Sequence, residues 1–108
     1  MKEITVAELK AMSDNKENFQ LIDVREEHEY DTANLNGELI PVGEIVHHPE
    51  RISRDKKVIV HCRSGVRSAA VINAMEKQFG FDNLYNSLLT IAHTSTATKS
   101  VFFSSWKH

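Results

Sequence analysis

The sequence predicts an α/β fold: a mainly parallel sheet of about five strands with helices on both faces. Three observations carry this expectation. Short apolar runs alternate with segments of helical period along the chain. Two of those runs, FQLIDV at 19–24 and VIVH at 58–61, are short, apolar and rich in β-branched residues, as buried strands are. No internal repeat and no linker divides the sequence.

Taken in order, Ile4 opens a short extended piece. Thr5 and Glu8 then have the spacing of a capping box, which predicts a helix over about Val6 to Met12. The polar stretch SDNKEN at 13–18 reads as a loop, and Phe19 to Val24 as the first strong strand. Arg25 to Asp31 is charged and has room for a turn or two of surface helix. Asn34 to Gly37 suits a turn, Glu38 to Pro41 a brief strand, and Val42 to His48 a short helix stopped by Pro49. A charged connection, Arg51 to Lys57, leads into VIVH, the strongest strand signal. Beyond it Ala70, Val71, Ala74, Met75 and Phe79 recur at helical spacing, predicting a helix over Ser68 to Phe79. Gly80 fits the position just past its end, and DNLYN at 82–86 supplies a last strand.

Residues 87–108 differ in character. They are rich in Ser and Thr, hold no Gly, Pro, Asp or Glu, and place their apolar groups on neither period. The chain is therefore divided into a domain over 1–86 and an atypical tail over 87–108, either docked irregularly or disordered.

Composition narrows the function classes. The net charge is -2 and the pI near 6.3, which offers no electrostatic attraction to nucleic acid or to an anionic membrane. The opening MKEITVAELKAM has acidic residues and no long apolar core, unlike a secretory signal or a membrane span. The one cysteine, Cys62, has no intramolecular disulfide partner, and a set of four zinc ligands is not in view. A cytoplasmic setting is expected. The paired His47 and His48 point different ways on a helix and read as solvated. Glu26, Glu27 and Glu29 read as a solvent face, and His61 as a packed residue at a strand end.

A lone cysteine is more often a buried apolar side chain than a nucleophile. Its surroundings here favour chemistry. Cys62 sits at the carboxyl end of an apolar strand with a helix close behind, the edge of an α/β sheet where ligand crevices lie. The connecting RSGVR must turn tightly. Gly65 permits backbone conformations denied to other residues, and such a turn aims successive N–H groups inward as an anion nest. The helix amino terminus, Arg63 and Arg67 add positive charge. Together these features stabilise a thiolate and a bound oxyanion.

HCRSGVRSA, with LIDVREEHEY and NLNGELIPVGEI, closely resembles the single-domain rhodaneses, a family of sulfurtransferases, over roughly Ile4 to Asn86. The resemblance implies a rhodanese-like fold with Cys62 as nucleophile and persulfide carrier. Arg63, Ser64, Gly65, Val66 and Arg67 would complete the cradle. Arg67 would bind a sulfonate or another anionic donor group, and Ser68 would start the helix and donate a hydrogen bond. Asp23 and Arg25 fall near the active edge, where they either support the site or make structural ion pairs. No metal or organic cofactor is implied. The partners would be a small sulfur donor such as thiosulfate, and a protein sulfur donor or acceptor, with the chain a monomer.

Loop length bears on the element transferred. Cysteine-dependent phosphatases carry Cys, five residues and then Arg, whereas Arg67 follows Cys62 after four. A shorter loop suits one extra sulfur atom better than a tetrahedral phosphate. Sulfur transfer leads; a sulfur-relay or regulatory binding module is the second reading, and a phosphatase or arsenate reductase the third. After Asn86 the sequence departs from the resemblance, since the family's Gly-Gly turn and Ala-Trp helix are replaced by NSLLTIAHTSTATKSVFFSSWKH. Leu88, Ile91, Phe102, Phe103 and Trp106 are the residues available there to restore burial.

Overall fold

The computed structural model describes residues 1–87. It contains β1 (Glu3–Ile4), α1 (Val6–Asp14), β2 (Phe19–Asp23), α2 (Glu27–Thr32) and β3 (Glu38–Leu39). α3 (Val42–Ile45), a 3-10 turn (Pro49–Arg51), β4 (Lys57–His61), α4 (Val66–Phe79) and β5 (Leu84–Ser87) follow. The five strands form one sheet in the order β1-β5-β4-β2-β3, and every neighbouring pair is parallel. The α/β fold expected from the sequence is the one observed. Of the tail, only Ser87 falls within the described residues, as the last residue of β5; the rest of 87–108 lies outside them, with the burial expected of Leu88, Ile91, Phe102, Phe103 and Trp106.

Side-chain alternation divides the sheet into two buried faces. Val58, Val60 and Cys62, with Ile22, Val24 and Leu84, pack under Val71, Ile72 and Met75 of α4 and Ile45 of α3. On the opposite face Ile59 packs with Ile4, Leu35, and Leu9 and Met12 of α1. Both faces of β4 are thus removed from water, which explains why VIVH reads as a continuous apolar run.

Local chemistry sets the element ends. Thr5 closes the expected capping box: its Oγ1 accepts from the Glu8 N–H at 3.0 Å, and Glu8 Oε1 accepts from the Thr5 N–H at 3.0 Å. α1 runs two residues beyond the expected Met12, to Asp14. At the end of α4, Gly80 adopts φ 69° and its N–H bonds to Glu76 O, as its place in the sequence suggests.

Several boundaries differ from expectation. α4 begins at Val66, two residues before Ser68, because Gly65 serves as N-cap at φ 89°. Its buried face is Ser68, Val71, Ile72 and Met75, whereas Ala70 and Phe79 face outward. α2 starts at Glu27 and not at Arg25, whose side chain folds back on Asp23. α3 stops at Ile45, and β3 at Leu39. β5 starts at Leu84, two residues after Asp82, and includes Ser87. Among the described residues, no helix is long and apolar enough to cross a membrane.

Candidate functional site

β4 is the central strand, and its carboxyl end delivers Cys62 into the turn that leads to α4. Cys62 is fully buried. Hydrogen-bond donors surround it, so it is no simple apolar filler. Its Sγ accepts from the Gly65 N–H at 3.1 Å and from the Ser68 N–H at 3.4 Å, and lies 3.4 Å from Ser68 Oγ. Burial alone pushes the thiol pKa up. The Ser68 side chain and the backbone N–H groups of Ser68, Gly65 and Arg67 act against burial and leave it below the ordinary value. The left-handed backbone at Gly65 (φ 89°, ψ -6°) turns the loop so that these N–H groups converge, and a side chain there would be strained.

A buried polar chain supports the loop from β5. Asn86 Nδ2 donates to Gly65 O at 3.1 Å, which leaves Asn86 Oδ1 to accept from the Ser68 hydroxyl. Ser68 has a single hydroxyl hydrogen. In the thiol state that hydrogen is given to Asn86, and Ser68 Oγ is free to accept from the S–H. In the thiolate state Ser68 can turn the same hydrogen to the sulfur. Asn86 is 2% exposed and stands beside Val60 in the register of β4 and β5. Nothing in the sequence marks it as a site residue, for it lies far along the chain from Cys62 and carries no periodic signal.

Arg67 is engaged from another direction. Its Nη1 donates to Glu29 Oε1 at 2.7 Å and its Nη2 to Glu29 Oε2 at 3.0 Å, a forked ion pair. The Arg67 hydrogen bond holds the Glu29 carboxyl down to about 2. Of the three glutamates expected on a solvent face, Glu26 and Glu27 are there, but Glu29 is only 19% exposed. The signal in the sequence is the Glu26-to-Glu29 capping-box spacing, at which Glu29 Oε1 accepts from the Glu26 N–H at 3.0 Å.

Asp23 and Arg25 are brought together but away from the sulfur. Arg25 Nε donates to Asp23 Oδ1 at 2.9 Å, and its Nη2 to Asp23 Oδ2 at 2.8 Å. The Arg25 backbone N–H adds a bond to Oδ1 at 3.0 Å, and Nη2 also reaches Ala33 O at 2.8 Å. The pair thus ties β2 to the end of α2, a helix with no buried residue of its own. His61 lies on the other face of β4 from Cys62, fully buried, with neither ring nitrogen hydrogen-bonded. Its Nε2 is 3.7 Å from Asp23 Oδ2, too far for a hydrogen bond. Burial lowers its pKa to about 4 despite the pull of Asp23, so the ring is neutral at pH 7 and is no partner for the thiolate. Arg63, Ser64 and Val66 present exposed positions around the turn.

The site is thus a cysteine loop lined with N–H donors, set between the central strand of a parallel sheet and the helix that follows it. The rhodanese-like domain model matches residues 5–88, and the chain belongs to that family. It is 33% identical over 85 residues to the putative sulfur carrier protein YrkF of Bacillus subtilis, covering 78% of this chain and 45% of that protein. It is 35% identical over 79 residues to the putative sulfurtransferase YtwF of the same organism, covering 72% of this chain and 77% of that protein. The chain therefore spans less than half the length of the first relative and about three quarters of the second. A crystal structure of a rhodanese-like domain protein from Staphylococcus aureus superposes with a TM-score of 0.73 at 31% identity, covering 82% of this chain and 85% of that one.

Proposed function

We propose that this protein is a sulfurtransferase that carries sulfane sulfur on Cys62, within a domain over residues 1–86. The observation that carries the proposal is the set of donors converging on Cys62 Sγ from Gly65 and Ser68. Relatives named as a sulfur carrier and a sulfurtransferase support the same class.

The Cys62 thiolate attacks the outer sulfur of thiosulfate or of a thiol persulfide. The new S–S bond forms as the donor's own bond to that sulfur breaks, and the leaving group, sulfite or a thiolate, departs with the electron pair. The N–H groups of Gly65 and Ser68 offset negative charge on the Cys62 persulfide. Arg63, exposed at the turn with Ser64 and Val66, adds charge where a donor enters, and Arg67 borders the same opening. An acceptor nucleophile, cyanide in the assay or a thiol of a small molecule or protein partner, then attacks the outer sulfur, and Cys62 leaves as the thiolate. Asp23 and Arg25 hold the scaffold. The expected setting is the cytoplasm and the expected state a monomer.

The test is thiocyanate formation from thiosulfate, or from a thiol persulfide, and cyanide, measured for wild type and Cys62→Ser. Cysteine-dependent turnover with either donor is the expected result. Turnover that survives Cys62→Ser, or none from either donor in wild type, refutes the proposal.

A further inference from the structure

Two arginines, Arg63 and Arg67, bring positive charge to the Cys62 loop, and the structure commits one of them. The guanidinium of Arg67 is held by both carboxylate oxygens of Glu29. Glu29 is itself fixed, since Oε1 also accepts from the Glu26 N–H at 3.0 Å, at the start of its own helix. A half-buried fork anchored at both ends cannot be exchanged for a passing anion without loss of its hydrogen bonds. Arg25 is neutralised in the same way by Asp23. Among the described residues, Arg63 forms no ion pair and is exposed. The positive charge that the sequence places at the loop is therefore halved in the folded protein.

We propose that Glu29 is a specificity-determining residue: by holding Arg67, it biases sulfur loading against the thiosulfate dianion and toward donors with a single charge at the sulfane end, such as thiol persulfides. This rests on the reading of Cys62 as the sulfur carrier. A dianion meets the Cys62 thiolate with a neutralised Arg67 and only Arg63 to offset the repulsion, and a monoanion meets about half that repulsion.

Methanethiosulfonate isolates charge from leaving-group chemistry. Like thiosulfate it gives up its outer sulfur to a thiolate, releasing methanesulfinate where thiosulfate releases sulfite, but it is a monoanion. The experiment measures kcat/KM for loading Cys62 from each donor, in wild type and in Glu29→Gln. Glutamine keeps an acceptor for the Glu26 N–H and removes the charge. The thiosulfate-to-methanethiosulfonate ratio is expected to rise about tenfold in the variant, and the gain to shrink at high salt. An unchanged ratio with both donors still loading overturns the role of Glu29 and leaves the Cys62 reading intact. Failure of both donors to load wild type overturns this inference, and overturns the Cys62 reading as well when a thiol persulfide also fails to load it. Should Glu29→Gln not fold, the wild-type ratio at increasing ionic strength decides: it rises if charge repulsion sets the preference, and a flat ratio overturns the proposal.

Discussion

Replacing Arg25 by methionine removes the guanidinium and keeps an unbranched apolar stem of similar width. Asp23, 0% exposed, then keeps only the Arg25 backbone N–H of the partners that now surround its carboxylate. The Ala33 carbonyl loses its donor as well. Breaking a buried ion pair from one side costs about 3 to 5 kcal/mol, because a buried charge is left without compensation. Small domains have total stabilities of about 5 to 15 kcal/mol, so the loss takes a large share. At roughly 4 to 8 °C per kcal/mol for a domain of this size, the thermal midpoint should fall by at least about 12 °C. The double variant Asp23→Asn, Arg25→Met should be more stable than Arg25→Met alone, since no charge is left buried. Urea unfolding followed by far-ultraviolet circular dichroism measures all three proteins, and sulfur loading of Cys62 is measured on the same samples. A loss under about 1 kcal/mol in Arg25→Met, together with poor loading, would refute the structural role and place Arg25 against the substrate.

Two further variants probe the site and the face behind it. Ser68→Ala removes the side-chain donor from the sulfur and leaves the Ser68 N–H in place; the thiolate pKa, read from ultraviolet absorbance against pH, should rise by about 1 or more, given roughly 1.5 to 3 kcal/mol for a hydrogen bond to a charged group. An unchanged titration would show that Ser68 keeps its hydrogen on Asn86 in both states. His61, neutral in the fold down to about pH 4, takes up its proton near 6.5 when unfolded. Between those values the unfolded chain binds more protons, so stability falls as pH drops from about 6.5 to about 4, by roughly 3 kcal/mol, and levels off on either side. His61→Leu should flatten this window in unfolding experiments run at several pH values, and a profile unaltered by the substitution would contradict the assignment. The Glu29 carboxyl, held down to about 2 from 4.5, adds its own loss of stability only as pH falls through about 4.5, so the His61 effect is read above about pH 5.

The elements legible in the sequence are those whose causes are local. The Thr5–Glu8 capping box, the VIVH strand and Gly80 each act within a few residues, and each stands where expected. The sequence misleads where contacts across the fold override a local pattern. Arg25 looks like the first residue of a charged helix, but its pairing with Asp23 holds it at the end of the strand. Phe79 completes an apolar period, yet the sheet lies under Val71, Ile72 and Met75, and Phe79 is 38% exposed. The loop Cys62 to Ser68 showed in the sequence because it is contiguous and its glycine is needed in place. Glu29 and Asn86, the two residues that set the state of that loop, come from α2 and β5. Both are ordinary polar residues whose meaning appears only when the sheet brings them to Arg67 and Ser68.

The central claim is that Cys62 holds transferable sulfur. Intact-mass measurement after incubation with thiosulfate or a thiol persulfide tests it most directly. Wild type should gain the mass of one sulfur atom and lose it again on addition of cyanide, while Cys62→Ser gains nothing. A wild-type mass unchanged by either donor, or an equal gain in Cys62→Ser, would contradict the claim.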